Sequence, residues 1–197
     1  MARLRPRRLG LARGHLLLVV TGALAARSAP DLVEAVRAWY PDVTVRVLVT
    51  EAAQRFVTPT LLRVASRQPV VGPGWTDGHD HAVPHRELAA WADVVLVYPA
   101  SGNTTAKLAA GIGDCLALAT VQDAECPVVL APGPSPGFAG RRIHQDNVRR
   151  LRESGYLVLD PVPGRAASDG TVGPFTPPPP EDLLMAIAGA VLVADPV

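Results

Sequence analysis

Short apolar runs alternate with amphipathic stretches along the chain. Leu16–Val20 is continuously apolar and of strand length, and Ser28-Ala29-Pro30-Asp31 then supplies a cap, an early proline and an acidic first turn. The helix that follows, to about Tyr40, repeats apolar residues at Leu32, Val33, Val36 and Trp39, with Asp31, Glu34 and Arg37 outside. Val43–Thr50 reads as strand, Thr58–Ser66 as helix and Gly72–Pro84 as a polar loop. Beyond it, Pro84–Trp91 is predicted helical, Val94–Pro99 strand, Thr104–Ala110 helix and Val128–Ala131 strand. Pro132–Gly140 is a Gly/Pro loop, and Arg141–Ser154 is a polar helix with apolar positions Ile143, Val148 and Leu151. Tyr156–Leu159 can form a last strand. Apolar strands alternating with helices predict an α/β fold, a parallel sheet covered on both faces.

The two ends of the chain modify this picture. Residues 1–13 carry five of the 19 basic residues and read as a flexible, solvated basic arm, leaving 14–197 as one domain. The arginines before Leu16–Ala26 imitate a secretory signal, but Thr21-Gly22 breaks the run after five apolar residues and a capped helix follows, which favours a buried strand. Pro161–Pro180 holds seven prolines and reads as a long loop or flap before a terminal helix. The apolar stretch 183–194 would span only about 18 Å as a helix, too short for a bilayer, so no membrane segment is expected.

A 48% hydrophobic content over 197 residues suits one globular core. A net charge of +1 offers no electrostatic footprint for nucleic acid. Cys115 and Cys126, eleven positions apart, form neither a disulfide framework nor a cysteine metal motif, so a reducing, cytoplasmic setting is expected.

Chemistry is expected in the loops at the carboxyl ends of the strands. Thr21–Ala26 places small residues, whose N–H groups can approach an anion, before the first helix. The turn Pro99-Ala100-Ser101-Gly102-Asn103-Thr104-Thr105 sets three hydroxyls, an amide and a glycine at a helix start, where orphan N–H groups and the helix dipole form a phosphate cradle; ordinary capping would need only one of them. His85 follows Pro84 at another helix start, a position that disfavours an imidazolium and suits a general base. His79-Asp80-His81 with Asp77 could share a metal ion, but the crowding in a Gly-flanked loop favours a solvated polar segment, and no metal is assigned.

Thr21–Ala26, Ala29–Leu32, Thr50–Ala53, His85–Leu88, Trp91–Asp93, Pro99–Thr104 and Gly111–Asp114 together resemble the homo-oligomeric flavin-containing cysteine decarboxylases. That family includes phosphopantothenoylcysteine decarboxylase and the peptidyl-cysteine decarboxylases of lantibiotic-type pathways. The resemblance implies a flavodoxin-like Rossmann fold and FMN, with FAD as an alternative. It also implies a homo-oligomer, trimer or dodecamer, with flavin at a subunit interface. By the same resemblance Gly22, Ala23 and Ser28 border the flavin phosphate, and Thr50, Ala52 and Phe56 border the flavin. Ser101, Gly102, Asn103 and Thr104 would bind the phosphate, Asn103 and Ser135 the substrate, and His85 would be the catalytic residue. Ser135 stands where the family places a substrate-binding asparagine, in Pro132–Phe138, and residues 155–197 lack the cysteine of the phosphopantothenoylcysteine branch. The expected activity is therefore oxidative decarboxylation of the C-terminal cysteine of a precursor peptide to an enethiol(ate), for aminovinyl-cysteine formation, with a separate cyclase as partner. Phosphopantothenoylcysteine decarboxylation, flavin prenyl transfer and a non-catalytic flavin-binding role are the alternatives.

Overall fold

A computed structural model of the chain describes residues 5–76, 83–165 and 169–194. Six parallel strands form the centre: β1 (His15–Val20), β2 (Thr44–Val49), β3 (Val70–Val71), β4 (Val94–Ala100), β5 (Val128–Pro132) and β6 (Leu157–Val158), in the order β3-β2-β1-β4-β5-β6. This is the Rossmann order of the doubly wound α/β class, and its topology reverses between β1 and β4. β1 is central, with Leu16 paired to both Val45 and Val94.

The period of two along β1 sends its residues into two cores. Leu16, Leu18 and Val20 pack with α1 (Ala29–Trp39), α2 (Pro59–Ser66) and the terminal α8 (Pro180–Ala194) through Leu32, Leu62 and Ile187. Leu17 and Val19 face α3 (Pro84–Trp91), α4 (Gly102–Ala109), α5 (Leu116–Asp123) and α7 (Arg142–Glu153) through Leu88, Leu108, Leu116 and Leu151. A single helical turn, α6 (Pro136–Ala139), lies in the Gly/Pro loop after β5.

Several elements differ from the sequence reading. Helix α5 has no polar stripe to reveal it, because Leu116, Ala117, Leu118, Thr120 and Val121 are all buried. In α7 the innermost positions are His144 and Leu151, whereas Ile143 is 62% exposed. The proline-rich flap contains an antiparallel hairpin, β7 (Val162–Arg165) with β8 (Val172–Thr176), in which Pro163 faces Pro174. A two-stranded ribbon has open edges, so prolines without N–H groups fit in it.

Residues 5–13 have little regular structure and their arginines are exposed, yet the segment is anchored on the domain at several points. Leu9 is buried, and the Tyr40 hydroxyl donates to the Pro6 carbonyl at 2.6 Å. Arg13 donates from its backbone N–H and its Nε to the two Asp93 oxygens, each at 2.8 Å, and from its Nη atoms to the carbonyls of Ala90 and Ala92. No helix among the described residues is long and apolar enough to cross a membrane.

Candidate active site

The loops after β1 and β4 meet where the topology reverses, and one buried side chain joins them. Thr21, 1% exposed, donates its hydroxyl to the Pro99 carbonyl at 2.6 Å and accepts the Ser101 N–H at 2.9 Å. At the end of β2, the Thr50 N–H bonds the Val20 carbonyl at 3.0 Å. The carboxyl ends of β1, β2 and β4 are thus held in one frame.

The start of α4 is capped, but the cap does not use all of its donors. Ser101 Oγ accepts the Thr104 N–H at 3.2 Å and lies 2.9 Å from the Thr104 hydroxyl, while the Thr105 hydroxyl donates to the Ser101 carbonyl. The hydroxyl-rich turn therefore spends its hydroxyls on itself. Gly102 and Asn103, the first two helical residues, have no intrahelical acceptor for their N–H groups. Among the described residues nothing else accepts them, and the exposed Asn103 amide is likewise unbonded.

Two clefts flank this ridge and share Gly22 and Ser101. The first, about 450 Å³, is bordered by Ala23, Ser28, Gly102 and Ser135, with Phe138 and Tyr98 as apolar walls and Arg27, Arg165 and Phe175 at its margin. The second, about 350 Å³, is bordered by Thr50, Ala52, Asn103 and Thr104. Its far wall holds the chain's single lysine, Lys107, bonded at 2.6 Å to Asp114, and that hydrogen bond raises the Lys107 pKa.

Two glycines give these clefts their shape. A Cβ on Gly22 would collide with Ala52, and one on Gly102 would stand 2.8 Å from the Phe138 ring. Glycine here permits close approach of the chain, and neither position has a positive φ.

Ten of the expected site residues line the two clefts, and two do not. Phe56 follows a 3₁₀ turn over Glu51–Arg55, is 39% exposed and borders neither cleft. His85 lies at the first turn of α3, whose last residue, Trp91, stacks on His15 at the start of β1. The amino end of α3 is therefore at the carboxyl end of the sheet, the same end as both clefts. His85 lines neither of them; its Nδ1 is buried without a partner, and its ring meets Trp75 edge-on at 5.5 Å. The candidate metal group at Asp77, His79, Asp80 and His81 lies outside the described residues.

Sequence reasoning missed the part played by Thr21, although its place at the end of β1 was a usable signal. It also missed Arg27, Arg165 and Lys107, because nothing local shows which loop an isolated cation will face.

A doubly wound sheet with unclaimed N–H donors at its switch point defines a nucleotide- or flavin-binding protein. The flavoprotein family model matches residues 7–192. The FMN-dependent cysteine decarboxylase SpaF is 32% identical, with a TM-score of 0.77 over 93% of this chain and 98% of that one. TvaF, an FMN-dependent cysteine decarboxylase from thioviridamide biosynthesis, is 31% identical, with a TM-score of 0.68 over 74% and 88%. The coenzyme A biosynthesis bifunctional protein CoaBC of Vibrio cholerae is 34% identical over 83% of this chain and 40% of its own length. The chain thus spans about 40% of the curated relatives it matches. It belongs to the flavoprotein family and, within it, to the flavin-dependent cysteine decarboxylases.

The residues present fit a flavin. The Gly102 and Asn103 N–H groups and the Asn103 amide supply unspent donors for a phosphate, and Gly22 lets the loop after β1 pack directly against Ala52 beside them.

Proposed function

We propose that this protein is an FMN-dependent decarboxylase that oxidises the C-terminal cysteine of a precursor peptide and releases an enethiolate. The reading is supported by the match to SpaF, an FMN-dependent cysteine decarboxylase that is 32% identical over 93% of this chain. The lack of cysteine in residues 155–197 adds support.

In the proposed chemistry the cysteine loses its thiol proton and a hydride from Cβ, which makes a thioaldehyde. The Cα–carboxylate bond then breaks, its electron pair forms the Cα=Cβ bond, and carbon dioxide leaves with an enethiolate behind. FMN, when bound, supplies the two-electron acceptor. The remaining tasks fall to the chain. Gly102 and Asn103 hold the phosphate, and the Ser135 hydroxyl, unused as a cap, donates to the peptide carboxylate. Phe138, Phe175 and Pro177 keep water from that carboxylate, so its conversion into neutral carbon dioxide is favoured. His85, which is partly exposed, takes the thiol proton.

Because His85 borders neither cleft of its own chain, the complete site is proposed to lie between subunits of a homo-oligomer, a trimer or dodecamer. A separate cyclase would then consume the enethiolate. CoaBC supports a second reading, phosphopantothenoylcysteine decarboxylation, in which a small metabolite is the substrate.

Mass spectrometry of a cysteine-terminated peptide after incubation tests both. Oxidative decarboxylation removes about 46 Da, carbon dioxide and two hydrogens, whereas the non-oxidative reaction removes about 44 Da. His85→Asn should retain its flavin and lose turnover by about 10²- to 10⁴-fold. A 44 Da loss would replace the oxidative reading with the second one, and full activity in the variant would remove His85 from the mechanism.

A further inference from the structure

Behind the Pro134–Pro136 wall of the first cleft lies another, of about 680 Å³, between α7 and the β7–β8 hairpin. The two clefts share Pro134, Pro136 and Phe175, so the surface that closes one opens the next. His144 lines the second of these spaces. It is 6% exposed, and its Nδ1 has no hydrogen-bond partner. Burial holds its pKa below the ordinary histidine range, so the ring is neutral near pH 7 and one of its nitrogens can accept a hydrogen bond. Its ring lies 4.9 Å from that of Phe138, which in turn covers Gly102. Nδ1 itself is enclosed, so the contact that His144 offers the cleft it lines is through the rest of its neutral ring, whose other nitrogen has no bonded partner among the described residues.

We propose that this cleft binds the main chain of the substrate peptide just upstream of its C-terminal cysteine, with His144 bonding a backbone amide there. The inference rests on the peptide reading above and extends it. A peptide whose terminal cysteine occupies the first cleft must leave it somewhere, and the shared proline wall leads here. Proline and phenylalanine walls present rigid apolar surface and lose little entropy on contact. The nearby cations are already engaged: Arg149 with Asp146 at 2.9 Å and Arg152 with Asp160 at 2.8 Å. The site therefore reads an extended backbone more than it reads charge, and it tolerates sequence changes upstream of the cysteine.

The flavin-loaded protein is tested with a randomised heptapeptide library ending in cysteine, with p-benzoylphenylalanine fixed third from the C-terminus. Irradiation should yield adducts on Gln145, Val148 or Pro174. His144→Phe should reduce adduct yield and raise the heptapeptide KM about tenfold, leaving kcat and the KM of a cysteine-terminated dipeptide unchanged. Val148→Trp, which fills the cleft from the α7 side, should act alike and guards against a folding defect in the first variant. Adducts confined to the first cleft, with the peptide still decarboxylated, would overturn the site and leave the function standing. Adducts in the predicted cleft without any mass loss would support the site and overturn the chemistry. No adducts and no turnover would overturn both.

Discussion

Thr21 does at one position what most open sheets leave to loop packing. It satisfies a carbonyl and an N–H on the far side of the switch point while it is itself buried. Thr21→Val keeps the shape and strands both partners, so we expect a loss of about 2 kcal/mol in urea unfolding, with weaker flavin retention on gel filtration. Gly22 acts through what it lacks. Gly22→Ala would press a methyl group against Ala52, and a destabilisation of about 1–3 kcal/mol, with lowered flavin affinity in a fluorescence titration, is the expected result. Unchanged flavin affinity in Gly22→Ala would mean that the backbone does not approach the cofactor there.

Among the elements, the β7–β8 hairpin separates binding from turnover. It brings Arg165, Phe175 and Thr176 to the first cleft and contributes no strand to the main sheet. Replacing residues 162–176 by a short Gly/Ser linker should leave the flavin spectrum and melting temperature near wild type and abolish peptide decarboxylation. Loss of flavin on the same replacement would show that the hairpin belongs to the cofactor site. Helix α4 should show the opposite dependence, because its two unclaimed N–H groups are proposed to hold the phosphate. Asn103→Asp places a carboxylate beside that site, and flavin occupancy should fall by repulsion.

Across the whole molecule, the end of the amino-terminal segment at Arg13 is tied down by one acidic side chain, Asp93. Burial of Asp93 would raise its pKa, but the N–H groups of His15 and Arg13 and the Arg13 guanidinium outweigh this and hold it below the usual carboxylate range. A carboxyl group whose pKa is lower in the folded state contributes fully above its unfolded value, near 3.9, and loses that contribution as pH falls through the folded one. Melting temperature should therefore drop below about pH 4, and Asp93→Asn should flatten that acid limb while costing about 2 kcal/mol near neutrality. An acid limb identical to wild type in the variant would assign the loss to other carboxylates.

Much of this architecture was legible along the chain, because burial on both faces leaves a continuous apolar signature at Leu16–Val20 and Val94–Tyr98. The switch-point loops could be located for the same reason, since they follow those strands directly. Helix α5 was not legible: its nearly all-round burial removes the polar stripe that periodicity needs. Nor was the docking of residues 5–13, which joins Pro6 to Tyr40 and Arg13 to Asp93, 34 and 80 positions away. The hydroxyls of Ser101 and Thr104 looked like phosphate ligands in the sequence, and the cap geometry of α4 turned them toward each other, leaving the backbone of Gly102 and Asn103 as the free donors. His144 is the sharpest case, since a histidine in a polar helix looks solvated. The sequence by itself determined the main alternation of apolar strands and helices and the loops that close the switch point, because local periodicity and turn chemistry encode them. Which clefts the unspent polar groups face was decided only by the tertiary structure, because the bonds of Thr21 that fix the frame of the site join residues 78 and 80 positions apart.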